Sequence, residues 1–270
     1  MRPCLALVVV AVSVTACRAD RMADHSPAVR ACLADITVIG TVTEIEKELV
    51  EAKPYPGATD PVGYTVAVVK IETNINGAKA MTHIKVGFIP PTGKQRYPTP
   101  DLKPDMALLL FLDKHPDGKF YLMPSLSPPV NVTPDAKPLV EQVKKLAPAF
   151  ADPTAALKAE KAEDRALAAG VLVTKYRYGR FNVPREQVKL PEGESKLLLD
   201  ALAGGDWSQT GDFTPMTAVM MLGLTPKDGF TVPQPKAGED AKALWKAEFA
   251  RWRKAEGEKY EVLKWVPKAK

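Results

Sequence analysis

Ile36-Thr-Val-Ile-Gly-Thr-Val-Thr-Glu-Ile45 decides the fold. Most of its positions are β-branched, which costs rotamer freedom in a helix and suits a pleated sheet. Four further strand-like runs follow before residue 124. Tyr64-Thr-Val-Ala-Val-Val-Lys-Ile71 has the same composition. Met81-Thr-His-Ile-Lys-Val-Gly-Phe-Ile89 alternates, with Ile84, Val86 and Phe88 on one side and His83, Lys85 and Gly87 on the other. Met106-Ala-Leu-Leu-Leu-Phe-Leu112 is apolar on both faces, as a central or barrel strand must be. Phe120-Tyr-Leu-Met123 is the fifth run, and His115-Pro-Asp-Gly-Lys119 before it is a turn: Pro116 presets φ and Gly118 tolerates a positive φ. Five strands without helical periodicity between them fit a small barrel better than a sandwich, because closure removes exposed edges.

Ala31-Cys-Leu-Ala-Asp-Ile-Thr-Val-Ile-Gly-Thr-Val42, the run from Tyr64, Asn76-Gly-Ala-Lys79 with the strand after it, the hydrophobic run around Leu108 and the Asp-Gly hairpin together resemble the netrin/TIMP-like branch of OB folds. The resemblance covers about residues 31–124 and implies an OB-like β-barrel over 32–124. In the metalloprotease inhibitors of that branch, a cysteine at the mature N-terminus chelates the target's zinc. Here Cys17 lies away from the barrel and Cys32 has no partner cysteine, so the resemblance is taken to imply the fold and not inhibition.

Residues 125–138 are rich in proline and read as an extended linker. Beyond Pro138 the period becomes helical. Helices are predicted over Leu139–Phe150, from Pro153 to about Tyr176, over Glu192–Ala203 stopped by Gly204-Gly205, from the Thr214-Pro215 cap to Gly223, and near Glu239–Glu256. In the last of these, Ala241, Leu244, Trp245, Phe249 and Trp252 make one apolar stripe that reads as core, with Lys242, Lys246 and Arg253 away from it. The whole is an α+β chain, a small five-stranded OB-like β-barrel followed by an α-helical domain over 139–270.

Met1–Ala16 reads as a signal peptide: Arg2, an apolar run from Leu5 to Val14 too short to span a bilayer, then small residues. Val14-Thr-Ala-Cys17 also looks like a bacterial lipobox, in which Cys17 becomes the acylated N-terminus; plain secretion with cleavage near Ala16 or Ala19 is the alternative. Residues 17–31 then form a polar tether. With Cys4 removed and Cys17 acylated, Cys32 is the last thiol, read as buried and inert, with dimerisation through it as the alternative. The net charge of +5 permits an anionic polymer or lipid partner without requiring one.

Two segments are candidate binding surfaces. Lys94, Arg96 and Tyr97 sit in a proline-stiffened loop from Pro90 to Pro104, and Tyr176-Arg-Tyr-Gly-Arg180 joins Tyr176, Arg177, Tyr178 and Arg180 in a compact basic-aromatic run. The plainer readings are an unemployed loop and arginines closing a helix C-terminus. Only His25, His83 and His115 are present, with no paired-cysteine or His-Glu-x-x-His spacing, no nucleophile elbow and no phosphate loop. Glu44, Glu46 and Glu48 share a face but read as a solvated edge rather than a calcium site. The expectation is a non-catalytic, exported binding protein of the bacterial cell envelope. It needs no cofactor or metal and has no nucleic-acid partner; it is either anchored to the membrane or secreted. Its partner would be an envelope protein or anionic polymer. A hydrolase of envelope polymers working through two unrecognised carboxylates is the alternative.

Overall fold

The computed structural model describes residues 25–55, 57–89, 100–124, 127–178 and 185–268. The fold is α+β, 36% helix and 25% strand. A short helix, α1 (Pro27–Leu33), precedes β1 (Ile36–Ile45), β2 (Val50–Ala52), β3 (Val62–Asn76), β4 (His83–Phe88), β5 (Ala107–Lys114), β6 (Tyr121–Leu122) and β7 (Val130–Asn131). Then come α2 (Lys137–Lys144), α3 (Ala147–Ala151), α4 (Pro153–Leu157), α5 (Ala162–Arg177), β8 (Arg185–Lys189), α6 (Glu192–Ala203), α7 (Pro215–Leu222), α8 (Ala241–Ala255) and β9 (Leu263–Pro267).

Five strands hydrogen-bond into a ring. β1 pairs antiparallel with β3 and β3 with β4; β4 runs parallel to β6, β6 antiparallel to β5, and β5 returns to β1. Long β1 serves two neighbours: Gly40 faces Ile71 on β3 and Leu108 on β5. Register shifts after Thr37, Ile39 and Val42 bend it around the ring. The ring interior holds Val38, Val42, Val69, Ile84, Val86, Leu108, Leu110 and Leu112.

The doubly apolar β5 run has its explanation here. Leu108, Leu110 and Leu112 fill the ring, while Leu109 and Phe111 point out into a second and larger core shared with the helices. Ile39 and Ile75 join them there, against Ala28, Ala31 and Cys32 of α1 and Val171, Leu172 and Val173 of α5. The two halves are therefore joined through one continuous apolar seam. Arg30 reinforces it, with its guanidinium 5.0 Å from the Phe111 ring centre and Nη1 donating to the Pro128 carbonyl at 2.7 Å.

Several boundaries differ from the sequence reading. Residues 27–31, read as tether, belong to α1, with Ser26 as its N-cap and Pro27 in its first turn. The 125–138 linker is not free chain: β7 pairs with Leu108 and Leu109, and α2 begins at Lys137. The helix expected from Pro153 to Tyr176 breaks before Ala162, where Arg165 Nη1 donates to the carbonyls of Ala159 and Glu160. The C-terminal half is not purely helical, since β8 and β9 pair over five residues each. Arg253, expected on the solvated side of α8, is buried and bridges Asp200 at 2.7 Å and Glu258 at 3.2 Å.

The aromatic stripe of α8 is core. Phe249 and Trp252 are fully buried, and Trp207, Phe230, Trp245 and Tyr260 complete the cluster around them. Trp252 Nε1 donates to the Asp228 carbonyl at 2.7 Å, so the indole dipole is satisfied inside the cluster. Thr214 caps α7, and Gly223 ends it at φ 67°, both as the sequence predicts.

A third, small core lies on the outside of the ring, where Tyr64, Val66, Ala52 and Phe120 meet. Phe120 lies directly on Gly87, and a Cβ there would come within 2.3 Å of its ring. Gly87→Ala should therefore lower stability by about 1–3 kcal/mol through overpacking. Adding Phe120→Leu should recover part of that loss, giving a sub-additive double-mutant cycle in urea unfolding.

Candidate functional site

Of the residues singled out in sequence, Cys17, Lys94, Arg96, Tyr97 and Arg180 lie outside the described residues. Tyr176, Arg177 and Tyr178 end α5, and each has an internal partner. The Tyr176 hydroxyl donates to Glu194 Oε1 at 2.8 Å, while the Lys264 ammonium stands 5.8 Å from its ring centre. Burial, then the bond to Glu194, raises the Tyr176 phenol above its ordinary range. Arg177 Nε donates to the Met221 carbonyl at 3.2 Å, one of the orphan acceptors at the end of α7. Its Nη1 is buried without a partner among the described residues. The Tyr178 hydroxyl lies 2.6 Å from His25 Nε2, with the two rings edge to face. The segment is thus woven into the body and offers Arg177 as a helix-closing group.

His115, read as a turn residue, is buried in the third core. It packs 4.6 Å from Phe120 and 5.7 Å from Tyr64, centre to centre. Its Nδ1 accepts from the Asp117 backbone at 3.1 Å, and Nε2 has no partner among the described residues. This imidazole therefore organises the hairpin from inside. Nothing in the local sequence distinguishes it from an exposed turn histidine.

The outer face of β3 and β4 has two parts. At one end Tyr64, Val66 and Gly87 are covered by Phe120. Beyond them Lys70, Glu72, His83 and Lys85 are exposed, with Thr41 Oγ1 donating to Glu72 at 2.6 Å and Lys85 paired with Glu46 at 2.7 Å. Among the described residues this exposed part carries no Phe, Tyr or Trp. The strand β1 stops at Ile45, so Glu46 and Glu48 lie past its end rather than in register with Glu44.

Among the described residues, open grooves indent the helical half. One of about 440 Å³ passes Thr154, Glu194 and Asp200. Another, of about 590 Å³, lies beside Glu163, Gly204 and Gly205, and one of about 450 Å³ runs from Trp207 to Lys246. Apart from Glu163, which lies in the first turn of α5, the carboxylates beside them have structural work. Glu194 accepts from Tyr176, Asp200 pairs with Arg253, Asp206 accepts from the Ser208 backbone and hydroxyl, and Asp240 caps α8. The Ser208 bonds hold the Asp206 carboxyl below its ordinary range. Among the described residues no three His, Cys, Asp or Glu converge as metal ligands. No family model matches this chain, and no curated protein matches it.

Cys32 is 3% exposed in the seam between the ring and the helices, which removes it as a route to a disulfide dimer. Burial pushes its thiol up to about 12 from an ordinary value near 9. A raised folded-state value means that the folded chain holds the proton more tightly. The stability this contributes is complete below about pH 9 and is lost as pH rises toward 12, at up to about 1.4 kcal/mol per pH unit. The urea midpoint should hold steady from pH 7 to 8.5 and fall between pH 9 and 11. Cys32→Ala should flatten that fall, and native Cys32 should resist a thiol reagent at pH 8 until the protein is unfolded.

Proposed function

We propose that this chain is a non-catalytic, exported binding protein of the bacterial cell envelope, held at the membrane through acylated Cys17, with an OB-like barrel fused to a helical lobe. The observation that carries the non-catalytic reading is the filled apolar seam between the two halves, where, among the described residues, Leu109, Phe111 and Ile39 share one core with α1 and α5. A hydrolase of envelope polymers needs two carboxyls facing a bound chain. The carboxylates Glu194, Asp200, Asp206 and Asp240 beside the grooves are instead engaged in ion pairs, caps and turns.

The order of the ring supports the OB-like reading. Counting β1, β3, β4, β5 and β6 as first to fifth, the spatial order is first, second, third, fifth, fourth and back to first, with third and fifth parallel. OB domains that bind single-stranded nucleic acid stack bases on aromatic groups of the second and third strands. Here the aromatic end of that face is occupied by the chain's own Phe120, and the exposed remainder is polar. That favours an envelope protein or an anionic polymer as partner. No cofactor enters this reading.

The test has two arms. The mature N-terminus should have the mass of an acylated Cys17, and Cys17→Ser should move the protein from the membrane to the soluble fraction. The mature protein should co-sediment with purified cell-wall polymer or be cross-linked to an envelope protein, releasing no soluble sugar. Steady release of reducing ends would establish the hydrolase instead.

A further inference from the structure

The chain is fastened to the body immediately before its first helix. His25 Nε2 meets the Tyr178 hydroxyl at 2.6 Å, and Ser26 Oγ donates to Asp212 Oδ2 at 2.5 Å while accepting from the Val29 backbone. These contacts tie the exit point to the end of α5 and to the approach to α7. Buried Ala28, Ala31 and Cys32 then lock α1 into the seam. The described chain is therefore held to the body at its first two residues, His25 and Ser26.

Only residues 18–24 separate that place from Cys17. Eight Cα–Cα steps reach about 28 Å when fully extended and average about 15 Å as a flexible coil. A folded body of this chain length has a radius of gyration of about 18 Å, hence a diameter of about 45 Å. To bring the opposite side to an anchor at Cys17, the tether would have to follow half the circumference, about 70 Å on the same dimensions. It is shorter than that by more than a factor of two.

We propose that in the acylated protein the end formed by His25, Tyr178, Asp212 and the exposed side of α7 lies against the lipid bilayer, so that the ring's β1–β2 corner points away from it. This rests on the reading of Cys17 as a lipid anchor. Affinity comes from the acyl chains; the His25 and Ser26 contacts supply orientation. Tyr178 has the amphipathic ring that suits a headgroup region, and Met220 on α7 is 55% exposed. β1 joins the seam with α1 and α5 through Ile39, and its other end, at Ile45, takes no part in that core. The corner beyond it presents Leu49 and Tyr55, each 60% exposed.

The experiment uses the full chain, produced with its leader and reconstituted into phosphatidylcholine–phosphatidylglycerol vesicles containing a headgroup-linked quencher. Met220→Cys and Gln209→Cys place a fluorophore near the exit point, and Leu49→Cys places one at the far corner. Buried Cys32 does not compete for the label. The near probes should be quenched several-fold more than the far one. His25→Ala combined with Tyr178→Phe should shrink the difference while thermal unfolding shows the body still folded. Equal quenching at near and far positions in acylated, vesicle-bound protein overturns the orientation and leaves the anchor intact. An unacylated Cys17 with no co-flotation overturns the anchor itself, and the orientation with it. An undiminished difference in the double variant overturns the role given to the His25–Tyr178 contact.

Discussion

The structure depends on a single strand that has no solvent face. Leu108, Leu110 and Leu112 of β5 fill the ring, and Leu109 and Phe111 fill the seam with the helices. Burying a large apolar side chain contributes roughly 1.5–3 kcal/mol, so five consecutive residues of this kind cannot be left half exposed. The ring alone would expose Leu109 and Phe111, and the helices alone would lack a floor beneath α1 and α5. Neither half satisfies its hydrophobic surface without the other. The Pro-rich connection accordingly runs along the ring as β7, pairing with the same strand, rather than spacing two independent bodies.

Close approach is the second constraint, and glycine meets it at the places where layers touch. Phe120 can cover the outer sheet face only because position 87 has no Cβ, and α5 can lie against the loop before α7 only because Gly170 sits under the Phe213 carbonyl, where a Cβ would come within 2.3 Å. Both contacts close surfaces that would otherwise be clefts. The grooves described on the helical half are open, and their walls mix apolar and charged groups. Recognition on such a surface depends on charge pattern and hydrogen-bonding groups more than on enclosure.

The parts of the fold readable from sequence were those whose signal is local. The β-branched run of β1, the alternation of β4 and the Thr214/Gly223 caps of α7 each carry their own physical signature within a few residues. The parts that escaped depend on distant partners. Arg185-Glu-Gln-Val-Lys189 is almost wholly polar and becomes a strand only because Leu263–Pro267 pairs with it from the other end of the lobe. Residues 158–161 are good helix formers, yet α5 starts after them because Arg165 bonds the carbonyls of Ala159 and Glu160. Arg253 looked like a surface cation by its position on the helical wheel, and its burial follows from Asp200 and Glu258 meeting it there. The candidate site divided in the same way. Tyr176, Arg177 and Tyr178 stood out by composition, but their partners Glu194, Met221 and His25 lie on three separate elements or segments that no spacing rule connects.

His25 shows how a residue outside both halves gains meaning from the fold. In sequence it is an unremarked histidine in a polar stretch. In the structure its ring packs on Tyr178, Ser26 caps α1 and bonds Asp212, and α1 closes the seam that β5 requires. The fastening of the N-terminal chain and the joining of the two halves are therefore one set of contacts. Pulling the chain at residue 25 would load the seam directly. A segment fixed in this way is coupled to the whole body, because no slack remains between α1 and the core on which both halves rest.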